Sequence, residues 1–344
     1  MPDQVPPAPY ICALDSGGSK TLCWIAAADG SVLARQSGLG AANIHDEEII
    51  KGILTPPLHA ALEEAGLRME QLSAVNVCLG GLNEGSLLKA LHFLLPAAKT
   101  QVIRESSGEA IFAAAPFWGF DIALMAGTGV VAVGINQQTG IKRSCGGWGP
   151  LMHDLGGGFA VGQQALRTIA ESIDFQQPES SILPALAKVY PFKRALEHCQ
   201  FLDKTPSEMS YEERLTLKNA IKGAIPVLDR RTVASLFPTV CQCAEKKDAV
   251  AIKILEQAAE TLVKVTKALA FDLQLKSPRI TPIGGIFRAG EVVYLPYRTA
   301  LQRVLPDAEL VFNDFTQIHG SVLLAMQLAG LSLSAAQVAK LRRS

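Results

Sequence analysis

Four glycine-containing loops in this chain each follow a short, apolar, β-prone run: Asp15–Thr21, Leu79–Gly81, Ala126–Gly129 and Ile283–Gly285. A glycine pair alone is more often just a turn. Four of them, each placed after a strand, constrain the chain to a fold organised around strand ends. Open α/β sheets bind their ligands at the carboxyl ends of strands, and glycine there lets the backbone approach a phosphate and donate N–H groups to it.

Two of the loops sit in a recurring unit. Tyr10–Leu14 runs into the first loop, Leu22–Ala28 reaches a turn at Asp29-Gly30, and Ser31–Gln36 follows. Later, Asp121–Ala126 runs into Gly127-Thr128-Gly129, Val130–Ile135 reaches Thr139-Gly140, and Ile141–Ser144 resumes. Gly18 precedes Gly30 by twelve residues and Gly129 precedes Gly140 by eleven. The match is in pattern rather than identity, and it points to two similar halves, each opening on an antiparallel meander.

The first loop lacks the Gly-x-x-x-x-Gly-Lys-Ser/Thr spacing of a P-loop. A dinucleotide-binding Gly-x-Gly-x-x-Gly turn should open a helix, whereas Leu22–Ala28 continues as a strand. What remains is a phosphate clamp built on two hairpins. Asp15 could hold Mg²⁺ directly or through water, with Lys20 or Thr21 meeting a phosphate oxygen; the alternative for Asp15 is a turn cap.

Between and after the meanders the text alternates. Asp46–Ala65 reads as a helix interrupted at Pro56-Pro57, Leu72–Leu79 as a buried strand, Leu87–Leu95 as a helix, Thr100–Arg104 as a strand and Gly108–Ala115 as a helix start. This order predicts an α/β chain with mostly parallel sheets and helices on their faces. Ala244–Asp272 carries an apolar stripe at Ala251, Leu255, Ala258, Leu262, Val265 and Leu269, the surface of a core-facing helix. Arg279–Ile283 is a strand, and helical segments near His319–Leu331 and Ser334–Arg342 close the chain.

Composition removes other classes. The 344 residues carry 32 Lys+Arg against 32 Asp+Glu, so no net field favours nucleic acid or an acidic membrane. With 49% apolar and 19% charged residues the chain can bury a large core, and the length suggests two domains. The first ten residues have neither the basic start nor the apolar run of a signal peptide, and Ile122–Gly134 is too short to cross a bilayer. Seven cysteines, most within apolar segments, read as reduced thiols of a cytoplasmic protein. Cys241 and Cys243 have no second Cys/His pair nearby to complete a metal site.

The motifs Asp15-Ser-Gly-Gly-Ser-Lys-Thr21, Gly127-Thr-Gly129, Cys145-Gly-Gly-Trp-Gly149, His153-Asp154-Leu-Gly156 and Gly284-Gly-Ile-Phe-Arg-Ala-Gly290 occur in an order that resembles the BadF/BadG/BcrA/BcrD-type ATPase family, and more closely its N-acetylglucosamine kinase branch. Cys-Gly-Gly-Trp-Gly is the most specific of them. The resemblance implies two ribonuclease H-like lobes of the actin/hexokinase superfamily that close over a cleft. Residues 1–120 would form the N-terminal lobe, rejoined by helices in 320–344, and residues 121–319 the C-terminal lobe.

It also implies roles. Gly17, Gly18, Ser19, Lys20 and Thr21 would form the first phosphate loop, with Mg²⁺ at Asp15. Gly127, Thr128 and Gly129 would form the second, and Gly284 and Gly285 would lie against the adenosine of ATP. Asn43, Trp148, Gly149 and Asp154 fall where the branch contacts its small-molecule sugar, with Gly80 and Gly81 on the same substrate side. Taken on its residue type alone, Trp148 could equally be a core aromatic.

Phosphoryl transfer needs a carboxylate to accept the hydroxyl proton. The strand Thr100–Arg104 delivers Glu105 to that place, where the resembling kinases have Asp; capping the helix at Gly108 is its alternative role. A second departure puts Leu155 where the family has Glu, and His153 adds a titratable group beside Asp154. The expectation is an ATP-dependent amino-sugar kinase, N-acetylglucosamine or a related hexose being the substrate, and a homodimer. A non-catalytic sensor of the same fold, or an ATPase that activates a partner enzyme, are the alternatives.

Overall fold

The computed structural model describes residues 9–17, 20–40, 46–79, 99–104, 108–152 and 155–343. The first sheet contains β1 (Tyr10–Ser16), β2 (Lys20–Ala27), β3 (Val32–Leu39), β4 (Leu72–Leu79) and β5 (Lys99–Arg104), in the order β3-β2-β1-β4-β5. The second contains β6 (Ile122–Ala126), β7 (Val130–Ile135), β8 (Lys142–Gly146), β9 (Arg279–Ile283) and β10 (Glu309–Leu310), in the order β10-β9-β6-β7-β8. Read from the hairpin side, the two orders are the same: a three-strand meander whose first strand is followed outward by two later strands. β1 pairs antiparallel with β2 and parallel with β4, and β6 pairs parallel with β9. The duplication suggested by the glycine spacing is therefore a duplication of topology.

The helices that concern the site are α1 (Glu47–Ala65), α2 (Gly108–Trp118), α3 (Gly158–Ile173), α4 (Tyr211–Ala224), α5 (Phe237–Glu245), α6 (Ala249–Asp272), α7 (Glu291–Val304), α8 (Gln317–Leu328) and α9 (Ala335–Arg342). Contacts divide the chain into two compact units. One comprises residues 1–121, 133–142 and 311–344; the other comprises 122–132 and 143–310.

In the first unit β1 is buried along Ile11–Leu14, as expected of a strand covered on both faces. Cys12 and Leu14 join Ile50, Leu54, Leu58, Val75 and Val77 in one apolar cluster beneath α1. Contrary to the sequence reading, α1 is not interrupted at Pro56-Pro57 but runs through both. A proline inside a helix costs about 3 kcal/mol, and here burial offsets it. Ile50, Leu54, Leu58 and Ala61 are all fully buried, each large side chain contributing about 1.5–3 kcal/mol. Pro57 itself is buried against Gly38 of β3, where a Cβ would lie 3.1 Å from the proline ring.

On α8, Gly320 sits so close to α2 that a Cβ would meet the Ala110 carbonyl oxygen at 2.0 Å. The neighbouring Ser321 accepts a 2.7 Å hydrogen bond from Asn76 Nδ2 on β4. The last helix, α9, is fastened to the β2–β3 turn. Gln337 Nε2 donates to the Ala28 carbonyl at 2.6 Å, Lys340 pairs with Asp29, and Gly30 has no room for a Cβ beside the Gln337 carbonyl.

In the second unit the long helical stretch Ala244–Asp272 is two helices rather than one. Lys247 takes a left-handed φ of 69°, and Asp248 caps α6 by accepting N–H bonds from Val250 and Ala251 at 3.0 and 2.9 Å. Periodicity alone overlooks this cap. No helix among the described residues is long and apolar enough to cross a membrane.

Candidate active site

The first loop is an antiparallel turn whose closing bond runs from the Gly17 N–H to the Lys20 carbonyl at 2.9 Å. β1 delivers Asp15 to its base, paired with Leu22 across the hairpin and with Cys78 on β4. The Asp15 carboxyl is enclosed, and desolvation raises its pKa to about 7 against the opposing pull of Lys20. A carboxylate held at such cost is one that a cation would stabilise. Its oxygens are the hard ligands Mg²⁺ prefers, so the residues present fit that ion.

Lys20 is exposed, whereas Thr21 turns inward. The Thr21 hydroxyl donates to the Leu39 carbonyl at 2.5 Å and lies 2.7 Å from Ser16 Oγ. Thr21 therefore braces the loop, and Lys20 is the side chain of this pair that faces solvent. Gly17 is unstrained, and a Cβ added there would have nothing within 4 Å.

The second loop has no charged side chain and is held by backbone. Gly127 N–H closes on the Gly129 carbonyl at 2.9 Å. The first turn of α3 then docks onto it: Gly158 N–H donates to the Gly127 carbonyl at 2.7 Å and Phe159 N–H to the Thr128 carbonyl at 3.0 Å. A Cβ at Gly157 would strike the Thr128 carbonyl oxygen at 2.7 Å. α3 has no acidic residue in its first turn and no side-chain cap, so the positive end of its dipole is left uncompensated by side chains beneath the loop.

From the other side Gly284 closes in, with φ of 109° and a Cβ position 2.3 Å from the Ala126 carbonyl oxygen. Ile286 N–H donates to that oxygen at 3.1 Å. Two glycine segments that are distant in sequence, 157–158 and 284, thus meet at 126–129. A Cβ at Gly157 or Gly284 would strike the loop's own backbone, so these two glycines brace a rigid cradle by close packing, while a Cβ at Gly127 would meet nothing within 4 Å, which leaves that stretch of backbone approachable by a nucleotide phosphate.

Sequence reasoning singles out 127–129 and 284–285, of which the structure brings Gly284 against the loop, but does not single out Gly157, Gly158 and the α3 N-terminus. The available clue is the run Gly156-Gly157-Gly158 immediately ahead of an amphipathic stretch.

Trp148 and Gly149 lie on the loop that follows β8. The backbone there is left-handed at Gly146, Gly147 and Gly149, and Gly147 N–H is tied to the Val130 carbonyl at 2.8 Å. Trp148 is 65% exposed, which removes the core-aromatic alternative. Leu155, further along the same loop, is also exposed. The expectations for Gly18, Ser19, Asn43, Gly80, Gly81, Glu105, His153 and Asp154 lie outside the described residues. Among the described residues no group of three His, Cys, Asp or Glu side chains gathers as a metal site, and Cys241 and Cys243 are buried free thiols.

An N-acetylmuramic acid/N-acetylglucosamine kinase of Clostridium acetobutylicum is 24% identical over 92% of this chain and 98% of its own length. An N-acetyl-D-glucosamine kinase of Dictyostelium discoideum is 23% identical over 91% of this chain and 96% of its own. The solved structure of a candidate N-acetylglucosamine kinase from Chromobacterium violaceum superposes with a TM-score of 0.64 at 20% identity, covering 92% of this chain and 99% of that one. The fold is that of the sugar kinases of the actin/hexokinase superfamily. The model of the BadF/BadG/BcrA/BcrD ATPase family matches residues 14–307, and the chain belongs to that family.

Proposed function

We propose that this protein is an ATP-dependent kinase that phosphorylates a hydroxyl of an amino sugar, N-acetylglucosamine or a related hexose. The observation that carries the reading is the cradle at 126–129, which has no charged side chain and is braced by the α3 N-terminus and by Gly284, within a chain of an ATPase family. The curated relatives, both amino-sugar kinases along nearly their whole length, support the choice of acceptor.

In this reading Gly127, Thr128 and Gly129 meet phosphate, and Gly284 and Gly285 flank the adenosine. Gly17, Gly18, Ser19 and Lys20 meet phosphate from the first loop, where Thr21 holds the turn in shape. Asp15 holds Mg²⁺, which when bound neutralises developing phosphate charge. Glu105 accepts the proton of the attacking hydroxyl. Trp148, Gly149, Asp154, Asn43, Gly80 and Gly81 hold the sugar. The reading extends to a homodimer, on the family resemblance, and to the cytoplasm, which seven free thiols support.

The test is ADP release measured across N-acetylated and plain hexoses, with wild type and Glu105→Gln. ADP release should depend on N-acetylglucosamine or a close analogue and fall by roughly 10²–10⁴ in the variant. Calorimetric sugar binding without ADP release would replace the kinase by a sensor. Sugar-independent hydrolysis would replace it by an activating ATPase.

A further inference from the structure

A titratable side chain that the proposed transfer leaves unused lies at the start of α8. His319 is 4% exposed and enclosed by aromatic rings. Its own ring centroid lies 5.0 Å from that of Trp24 on β2, 5.4 Å from Trp118 on α2 and 6.1 Å from Phe315. It also holds the third position of the helix, where a capping box ordinarily carries Glu or Gln. From there Nδ1 accepts the Thr316 N–H at 3.0 Å and lies 2.9 Å from Thr316 Oγ1.

A backbone N–H can only donate, so Nδ1 is the unprotonated nitrogen and the ring proton sits on Nε2. Histidine therefore closes this cap only while it is neutral. A proton on Nδ1 would set two N–H groups against each other. The Thr316 carbonyl is 3.1 Å away, but it already receives the His319 N–H at 3.0 Å. The Thr316 N–H would lose its acceptor in either case.

The surroundings disfavour that proton. β3 brings Arg35, whose guanidinium lies 5.2 Å from the Trp24 ring, and α9 brings Arg342, 5.5 Å from the Trp118 ring. β2 and α2 present the tryptophans themselves. Among the described residues Asp314 is the anion that faces the histidine, and it is engaged by Trp118 Nε1 at 3.2 Å and by Arg342 Nε at 4.0 Å. Burial foremost, helped by the two arginines, holds the His319 pKa below its ordinary 6.5 against the pulls of the Thr316 backbone and Asp314.

We propose that His319 is an acid-sensitive latch, whose protonation releases the first turn of α8 and loosens that helix over β1, the strand that leads into the first glycine loop. The folded chain takes this proton less readily than the unfolded chain does. The latch is therefore complete above about pH 7 and is lost as pH falls through 6.5 and then through the lower folded value.

Hydrogen exchange of the amides in 317–322, followed by mass spectrometry from pH 8 to pH 4, tests it. His319→Gln keeps an acceptor for the Thr316 N–H but does not titrate, whereas His319→Phe keeps a ring and has no acceptor. Wild type and His319→Gln should exchange at equal rates at pH 8. In acid the wild type should exchange about threefold to thirtyfold faster, the worth of a helix cap. His319→Phe should be the faster of the two variants at every pH, by a similar factor. Tryptophan fluorescence of the wild type should change with a midpoint below pH 6.5, because Trp24 and Trp118 flank the ring, and His319→Gln should lack that change. A wild-type exchange rate that keeps a constant ratio to either variant across this range overturns the latch, so one folded variant is enough to decide. Equal acid loosening of α6 and α8 would also overturn it, since the cap is local to α8.

Discussion

The two hairpin loops occupy equivalent places in two sheets of the same strand order, yet they are built from opposite materials. The loop after β1 works with side chains: a desolvated carboxylate at Asp15, an exposed ammonium at Lys20 and a buried hydroxyl brace at Thr21. The loop after β6 has no charged side chain. It is a strip of backbone wedged between the α3 N-terminus and Gly284, with its geometry set by contacts that exclude a Cβ. A duplicated frame has thus diverged into one loop built on charged side chains and one built on backbone, and the proposed function assigns the metal ion to the first and phosphate to the second. The first should respond to changes of charge, the second to changes of bulk.

The sharpest way to break this contrast is Gly284→Ala. The substitution forces an L residue to φ of 109° and a methyl group to 2.3 Å from the Ala126 carbonyl oxygen. The strained conformation alone costs about 1–3 kcal/mol, and the clash adds to it. Thermal melts should show a large loss, and calorimetry should show no nucleotide binding at concentrations that saturate wild type.

Asp15→Asn should come next, with turnover reduced on the order of 10²–10³ through loss of charge stabilisation. It carries an opposite signature in stability. The Asp15 pKa is raised from 3.8 to about 7 on folding, so the unfolded chain gives up this proton at lower pH than the folded chain does. Its contribution to stability is therefore complete below about pH 4 and is lost as pH rises to about 7. The asparagine variant should unfold at higher denaturant than wild type at pH 8 and lose that advantage by pH 4. Urea titrations at the two values check it, and an advantage of equal size at both would separate Asp15 from the metal-loop role.

Lys20→Ala should raise the KM for ATP about tenfold, the worth of one hydrogen bond to a charged group, with little change in melting temperature because the side chain is exposed. The smallest effect is expected from Gly285→Ala. That glycine adjoins Gly284, but its added Cβ would meet only the end of Arg288 at 3.9 Å. Its stability should stay within about 0.5 kcal/mol of wild type. If Gly284→Ala proves equally mild, the second loop is not the rigid cradle described.

Much of the frame is legible because strands here are short apolar runs punctuated by glycine: Leu72–Leu79 and Arg279–Ile283 can be read to the residue. Where reading fails, a non-local contact has overruled a local preference. Pro56 and Pro57 signal a break, but the burial of Ile50, Leu54 and Leu58 holds α1 together across them. The stretch Ala244–Asp272 looks continuous, yet Asp248, which also accepts bonds from Ser180 and Ser181 nearly seventy residues earlier, caps a new helix. At the site, glycine shows where the backbone approaches something without showing what it approaches. The docking of α3 onto Gly127 and Thr128 joins residues about thirty positions apart by main-chain bonds, to which side-chain identity is nearly blind.

The fastening of the last two helices has a consequence for how the protein is made. Ser321 meets Asn76 in the first sheet, and Gln337 meets the turn at Ala28, a span of 309 residues. Residues 143–310, almost all of the second unit, leave the ribosome as one uninterrupted stretch. The first unit begins earlier, and α1 can cover one face of β1 and β4, but the other face is not covered until α8 has emerged. Its strands must wait, partly uncovered, through the synthesis of the whole intervening unit. The N-terminal sheet is thus the part of the nascent chain longest exposed to aggregation or to a chaperone.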